Sequence, residues 1–200
     1  MEDQPAQILK LIKQRASTRQ YLDKPIPKEI VDQIVEAGIW GPSLLVGFQP
    51  WKFVVIDGKI TIEKIGEILN LKAEQIGVGG SNLLRISAKT AATASMVIVV
   101  YNNRSLTKFV KRFKNIYGKM AGLAELSAIS MAVQNMFLVA ETLNVGSCWH
   151  DSALLAKKEI NKLLKKKEPL IAILTFGYPA KPGQRSKRIN FSQAVEFSHD

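Results

Sequence analysis

KMAGLAELSAISMAVQNMFLVAETL, residues Lys119–Leu143, is the longest stretch that reads as one helix. Apolar side chains lie on most sides of it, which suits a helix buried in a core. A membrane span is the rival reading. Glu125, Gln134, Asn135 and Glu141 interrupt the run, and a charge at bilayer depth costs roughly 2.5–3.5 kcal/mol on insertion scales. The stretch is therefore read as a core helix, with no membrane partner. Ser127, Ser130, Gln134 and Glu141 share one stripe by helical spacing, placed to face a ligand or a partner helix.

The segments around this helix supply a sheet for it to pack on. SMVIVVY (Ser95–Tyr101) and LIAILTF (Leu170–Phe176) are uninterrupted apolar runs, as in strands covered on both faces. WKFVVID (Trp51–Asp57) is a third strand, closed by Asp57-Gly58. Ile8–Gln14 reads as an amphipathic helix, and Asp23–Pro27 as a turn. A second helix starts at Pro27, with Ile30, Ile34, Val35 and Ile39 at helical spacing until Gly41-Pro42-Ser43 breaks it. Ile60–Leu71 and Ser152–Lys165 are further helices, the latter apolar at Leu155, Ile160, Leu163 and Leu164 with lysines outside. Gly77–Ser81 is a flexible break, and Lys108–Lys119 a basic, partly aromatic mixture of helix and loop. Strands alternating with helices predict α+β or α/β architecture, helices on both faces of a sheet. Residues 1–200 form one domain with a basic tail from about 180, and no internal repeat.

Of the 200 residues, 46% are apolar and 22% charged, an ordinary globular composition that excludes disorder as the dominant state. One cysteine excludes an internal disulfide framework and a multi-cysteine metal site. The histidines, His150 and His199, leave little for zinc or haem, so no metal is expected. Met1–Lys13 carries acids and no long apolar run, which makes the cytoplasm the default location. Lys and Arg exceed Asp and Glu by 28 − 17 = 11. That balance favours an anionic partner: nucleic acid, a membrane surface or a phosphate-bearing ligand.

The common phosphate cradles are missing. Gly77–Asn82 is not GxGxxG, and there is no GxxxxGK[ST]. Cys148 and His150 share a face if they lie on a strand, but a lone cysteine is far more often a small buried hydrophobe than a nucleophile. Arg15-Ala16-Ser17-Thr18-Arg19, if extended, points Arg15, Ser17 and Arg19 to one side and Ala16 and Thr18 to the other. Two guanidinium forks and a hydroxyl suit a phosphate, and a solvated basic loop is the alternative. Lys181, Arg185, Lys187 and Arg188 form a second basic cluster, a solvated tail alone and a phosphate clamp if brought beside the first. Gly41–Trp51 is a rigid aromatic loop, either a connection or a platform (Phe48, Trp51) for a flat ligand.

Four segments in order resemble the FMN-dependent nitroreductase family. Arg15–Arg19 is similar to its R-R-S-x-R, and Gly41-Pro-Ser…Gln49-Pro-Trp-Lys-Phe53 to its A-P-S-x-x-N-x-Q-P-W-x-F. Gln134-Asn135…Ala140 with Val145–Trp149 resembles the end of its long helix and the following G-x-G-S-C-W strand. Gly177-Tyr-Pro179 and the tail to Arg188 resemble its C-terminal G-Y-P…R. The match runs from about Ile8 to Arg188.

The resemblance implies an α+β fold with a mixed central sheet flanked by helices, in a domain-swapped homodimer with two FMN sites at the interface. It implies a single-domain oxidoreductase that takes hydride from NADH or NADPH. The enzyme would reduce an electron-poor small molecule such as a nitroaromatic or quinone, by a ping-pong route. Arg15, Ser17 and Arg19 would hold the FMN phosphate and the polar side of the ring, with Ala16 in the same segment. Arg188, helped by Lys187, would complete the phosphate site. Pro42 and Ser43 would reach the flavin from the other subunit. The backbone after Trp149, at His150, Asp151 and Ser152, would lie by the flavin edge. The chemistry would sit on the cofactor, so no catalytic side chain is assigned.

Three departures stand out. Ala16 replaces a second Arg or His. The Pro42–Trp51 loop is one residue longer, with Gly47 where the family's Asn falls. Asp151-Ser152 replaces Gly-Gly, and Asp151 either caps the following helix, the favoured reading, or turns its carboxylate inward and adds negative charge there. Related folds carry out dehalogenation, enone reduction and flavin chemistry. The rivals are a basic nucleic-acid-binding module, for which no signature is present, and a flavin-binding protein with little turnover.

Overall fold

The computed structural model describes residues 4–45, 47–77, 81–111 and 118–198. In chain order the elements are α1 (Gln4–Gln14), α2 (Lys28–Ile39), β1 (Trp51–Ile56), α3 (Lys59–Ile76), α4 (Ser81–Thr93), β2 (Met96–Asn102), α5 (Ser105–Val110), α6 (Gly118–Thr142), β3 (Gly146–His150), a 3-10 turn (Ser152–Ala156), α7 (Lys157–Leu163), β4 (Leu170–Gly177) and α8 (Phe191–Ala194). The expected break at 77–81 and the basic stretch 108–119 each lie partly outside the described residues.

The four strands form one sheet in the order β1-β2-β4-β3. Every pairing of these strands is antiparallel, which corrects the expected mixed sheet. The apolar runs of β2 and β4 report that both faces are covered, and strand direction does not follow from that. Ile98, Val100, Leu174 and Phe176 face α2 and α6, where they meet Ile34, Ile129 and Met136. Val97, Val99, Tyr101 and Ile173 face α3, α4 and the 3-10 turn, where Ile65, Leu69 and Leu84 pack. The only parallel contact among the described residues is a single bridge, Ser17 to Ser147, at the β3 edge.

Two element ends depart from expectation for local reasons. The segment from Ser152 opens as a 3-10 turn before becoming α-helical, and left-handed Lys165 (φ 51°) follows its end. α6 stops at Thr142 because Asn144 turns left-handed (φ 57°), a conformation Asn tolerates, and Val145 N–H donates to Ala140 O.

Glu125 sits fully buried on α6. Its carboxylate accepts from Asn102 Nδ2 (3.0 Å), Thr107 N–H (2.9 Å) and Thr107 Oγ1 (2.7 Å), tying the end of β2 and the first turn of α5 to α6. α6 is nonetheless only partly covered. Met120, Leu123, Leu126 and Met131 are exposed on it, and Trp40 and Leu45 are more than 70% exposed nearby in sequence to α2. Ser127 and Ser130 turn their hydroxyls back onto Leu123 O and Leu126 O. The predicted polar stripe is therefore muted at its two serines and stays polar at exposed Gln134 and half-buried Glu141.

Replacing Glu125 with Ala should strip three donors of their acceptor. We expect a loss of about 1–3 kcal/mol in urea unfolding, with Glu125→Gln milder. An Ala variant as stable as the parent would show that this carboxylate anchors nothing.

Candidate functional site

β3 is an edge strand, and its free edge is covered by the segment after α1. Thr18 N–H donates to Ser147 O at 2.9 Å. The chain leaving β4 then doubles back along the same segment. Leu22 N–H donates to Tyr178 O (2.8 Å), Ala180 N–H to Gln20 O (3.0 Å) and Gln184 N–H to Ser17 O (3.1 Å). Held between the two, residues 15–19 are extended. Ala16 and Thr18 are buried, Arg15 and Ser17 half-buried, and Arg19 exposed, the alternation expected from the sequence.

Two glycines permit this approach. A Cβ on Gly146 would lie 2.6 Å from Thr18 Oγ1, and one on Gly183 would lie 2.8 Å from Ala16 Cβ. Ala16 thus packs against the returning tail, and its small size follows from that contact.

Ser17, Arg19, Gln20, Lys181, Pro182 and Gln184 line an open groove of about 290 Å³. Arg15 and Arg19 both act electrostatically on Cys148 beneath. Among the described residues, Arg15, Arg19 and Lys181 form no ion pair. Two uncompensated cations in the lining, Arg19 and Lys181, with the Ser17 hydroxyl and the Gln184 amide, and Arg15 close enough to act on Cys148 beneath, are a donor set matched to a phosphate monoester dianion. Lys181 was read in the sequence as part of the tail cluster, and Gln184 was missed. Its signal was only the Pro182-Gly183 turn before it. Lys187 and Arg188 are exposed on the tail, where Arg188 Nη1 donates to Ser186 O at 3.2 Å.

Cys148 and His150 do share a face of β3, but they are not assembled as nucleophile and base. Burial pushes the Cys148 thiol up in pKa, against the opposing pull of Arg19, the Ser17 hydroxyl and Arg15. His150 is buried with both ring nitrogens engaged. Nδ1 lies 2.9 Å from Ser87 Oγ and Nε2 3.0 Å from Thr175 Oγ1. Burial, then the Arg19 charge, push its pKa down to about 4, with Asp151 opposing. At neutral pH the ring is uncharged.

The remaining candidates divide. Trp149 is half-buried and packs toward the α6 face. Asp151 occupies the position before the 3-10 turn, but its side chain makes no capping bond, which corrects that expectation. Its own φ of −77° and ψ of −29° are already helical, and its backbone carbonyl accepts from Leu154 N–H instead. Ser152 is turned inward, its Oγ 2.8 Å from Ser87 Oγ. Pro42 and Ser43 are exposed. The aromatic platform is corrected in part: Trp51 is buried in the core beside α6, while Phe48 packs on Phe109 at a centroid distance of 5.1 Å.

Residues 12–178 match the model of the nitroreductase family, and the chain belongs to that family. A protein named as an NADH dehydrogenase/NAD(P)H nitroreductase, from Methanothermobacter thermautotrophicus, is 29% identical over 183 residues, covering 89% of this chain and 81% of its own length. An iodotyrosine deiodinase from Nematostella vectensis is 26% identical over 194 residues, covering 92% and 71%. A crystal structure described as a nitroreductase in complex with FMN, from Desulfovibrio desulfuricans, aligns with a TM-score of 0.74 at 25% identity, covering 100% of this chain and 99% of that one.

The His150 arrangement sets a pH dependence. A histidine held below its unfolded value of 6.5 contributes stability in full above that pH, and the contribution is lost as the pH falls toward 4. Over that window unfolding free energy should fall with a share from this group approaching about 1.4 kcal/mol per pH unit. His150→Gln should remove that share, read as the difference in slope between the two proteins. Identical slopes would sink the assignment.

Proposed function

We propose that the protein is an NAD(P)H-dependent FMN oxidoreductase acting on a small, electron-poor acceptor, as a domain-swapped homodimer in the cytoplasm. The observation that carries this reading is the convergence of Arg15, Ser17, Arg19, Lys181 and Gln184 on the covered edge of β3, in a chain of the nitroreductase family.

In this reading Arg15, Ser17, Arg19 and Lys181 hold the FMN phosphate and the polar side of the ring. Lys187 and Arg188 close the site from the tail. The backbone from Trp149 through Ser152 lies by the flavin edge, and Pro42 and Ser43 reach the flavin of the partner. FMN held there would supply the hydride and electron transfer between NADH or NADPH and a nitroaromatic, a quinone or a similar acceptor, in a ping-pong cycle. The chain supplies charge, orientation and a dry wall, and no side-chain acid or base is assigned. The exposed seam of α6, with Trp40 and Leu45, supports the dimer: obligate interfaces are large and apolar.

Purified protein should be yellow and release FMN. Arg19→Ala should raise the FMN dissociation constant roughly tenfold or more, since a hydrogen bond to a charged group contributes about 1.5–3 kcal/mol. Lys165→Ala, on an exposed residue past α7, should leave it unchanged. Equal constants for the two variants, or release of FAD, would refute the site.

Acceptor varied at several NAD(P)H concentrations should give parallel double-reciprocal lines, and light scattering should give twice the chain mass of 22.2 kDa. Intersecting lines would exclude the ping-pong cycle, and a monomer at micromolar concentration would exclude the shared site.

A further inference from the structure

Beneath the basic groove runs a line of side-chain contacts that the cofactor reading does not use. It begins at Ser152 Oγ, 2.8 Å from Ser87 Oγ. It continues from Ser87 through both nitrogens of His150 to Thr175 Oγ1. From there it reaches Tyr21 Oη at 2.9 Å, and Tyr21 Oη lies 2.7 Å from Thr18 O. Six residues from the 3-10 turn, α4, β3, β4 and the segment after α1 are thus joined. Each link has one proton to share, so the direction of the chain can be worked out from its end.

Thr18 O is a carbonyl and can only accept. At 2.7 Å, the shortest contact of Tyr21 Oη, it takes the phenol proton, which Thr175 O, a pure acceptor at 3.2 Å, can only share. Tyr21 Oη is then left to accept from Thr175 Oγ1–H, because two bare oxygens at 2.9 Å would repel. With its own proton spent, Thr175 Oγ1 must accept, and the donor facing it is His150 Nε2–H. A neutral imidazole carries one such proton. Nδ1 is therefore the acceptor, of Ser87 Oγ–H, and Ser87 Oγ in turn accepts from Ser152 Oγ–H. The opposite tautomer leaves a proton-free contact at Tyr21.

We propose that His150 is a positioning residue held as the Nε2–H tautomer. The one-way chain Ser152→Ser87→His150→Thr175→Tyr21→Thr18 locks the segment bearing Arg15, Ser17 and Arg19 to the backbone at 150–152. The two ends of the groove region are thereby fixed relative to each other through β3 and β4, with no contact between the His150 imidazole and the ligand. The depressed basicity of the ring agrees with this, since a second proton on Nδ1 would reverse the Ser87 and Ser152 hydroxyls. Their outlet would then be Leu83 O, at 3.4 Å from Ser152 Oγ. The consequence for binding rests on the FMN reading, whereas the tautomer does not.

The test is nitrogen NMR of the imidazole at pH 7. The chain has two histidines, so His199→Asn leaves His150 as the only one. Nε2 should give the signal of a protonated ring nitrogen and Nδ1 that of an unprotonated one. Thr175→Val keeps the shape and removes the acceptor. In that variant the proton should move to Nδ1, and the FMN dissociation constant should rise roughly tenfold, the size of a lost hydrogen bond. Thr175→Ser should restore both the Nε2–H form and binding to within about twofold of the parent, a margin well under one hydrogen bond. A protonated Nδ1 in the parent would overturn the proposal. So would an unshifted tautomer in Thr175→Val, or equal FMN affinity of the Val and Ser variants. A protein that binds no FMN would defeat the proposed function, while the parent's tautomer and its response to Val would still decide this inference.

Discussion

The free edge of β3 is the constraint on which the site depends. An uncovered edge strand leaves backbone donors and acceptors without partners and invites pairing with another chain. Here Thr18 satisfies Ser147, and the tail returning from β4 satisfies Ser17, Gln20 and Leu22 in turn. Because the covering segment is extended, alternate side chains go opposite ways. The buried pair, Ala16 and Thr18, fills the contacts with Gly183 and Gly146, and the other set, two guanidinium groups flanking the Ser17 hydroxyl, is turned the opposite way. Edge protection and the display of Arg15, Ser17 and Arg19 on one side are thus consequences of the same backbone pairing.

The two faces of the sheet are finished differently. The face under α3, α4 and the 3-10 turn closes around Leu69, Leu84 and Ile160 within one chain. On the other face α6 covers the sheet and leaves its own outer surface open, with Met120, Leu123, Leu126 and Met131 in water. Burying a side chain of this kind contributes about 1.5–3 kcal/mol, so this surface gains by pairing. The serines within it do not resist, since their hydroxyls are already bonded to the preceding turn. Length and hydropathy make α6 able to cross a membrane. Its packing on α2 and the sheet, with Glu125 inside it, gives the same apolarity a use as core on one side and leaves an apolar surface exposed on the other.

β1, β2, β4 and most helices were legible because their signals are local: apolar runs, helical spacing, and Gly or Pro at the ends; β3 was legible only through the family resemblance. The extended reading of Arg15–Arg19 also held, since alternation needs only the backbone. Strand direction was not legible. An apolar run records that helices lie on both faces, and antiparallel β2 and β4 satisfy that as well as parallel strands would. Trp51 shows a second limit: an aromatic beside a Pro-rich loop can serve ligand or core, and only the position of α6 decides. The contacts among Tyr21, Ser87, His150 and Thr175 span distances in sequence that no spacing rule connects, and hydroxyl residues carry no periodic signal.

Ala16 brings these threads together. Set against the family pattern it looks like the loss of a basic donor. In the folded chain the position is buried on the side away from the groove, its Cβ against Gly183. A guanidinium there would displace the tail that brings Lys181 and Gln184 to the groove, and would bury a charge beside Thr18. The alanine lets the tail come close enough for Lys181 to stand on the same side as Arg19. The second cation lining the groove is thus delivered by the tail, from a residue 162 positions beyond Arg19 in the chain.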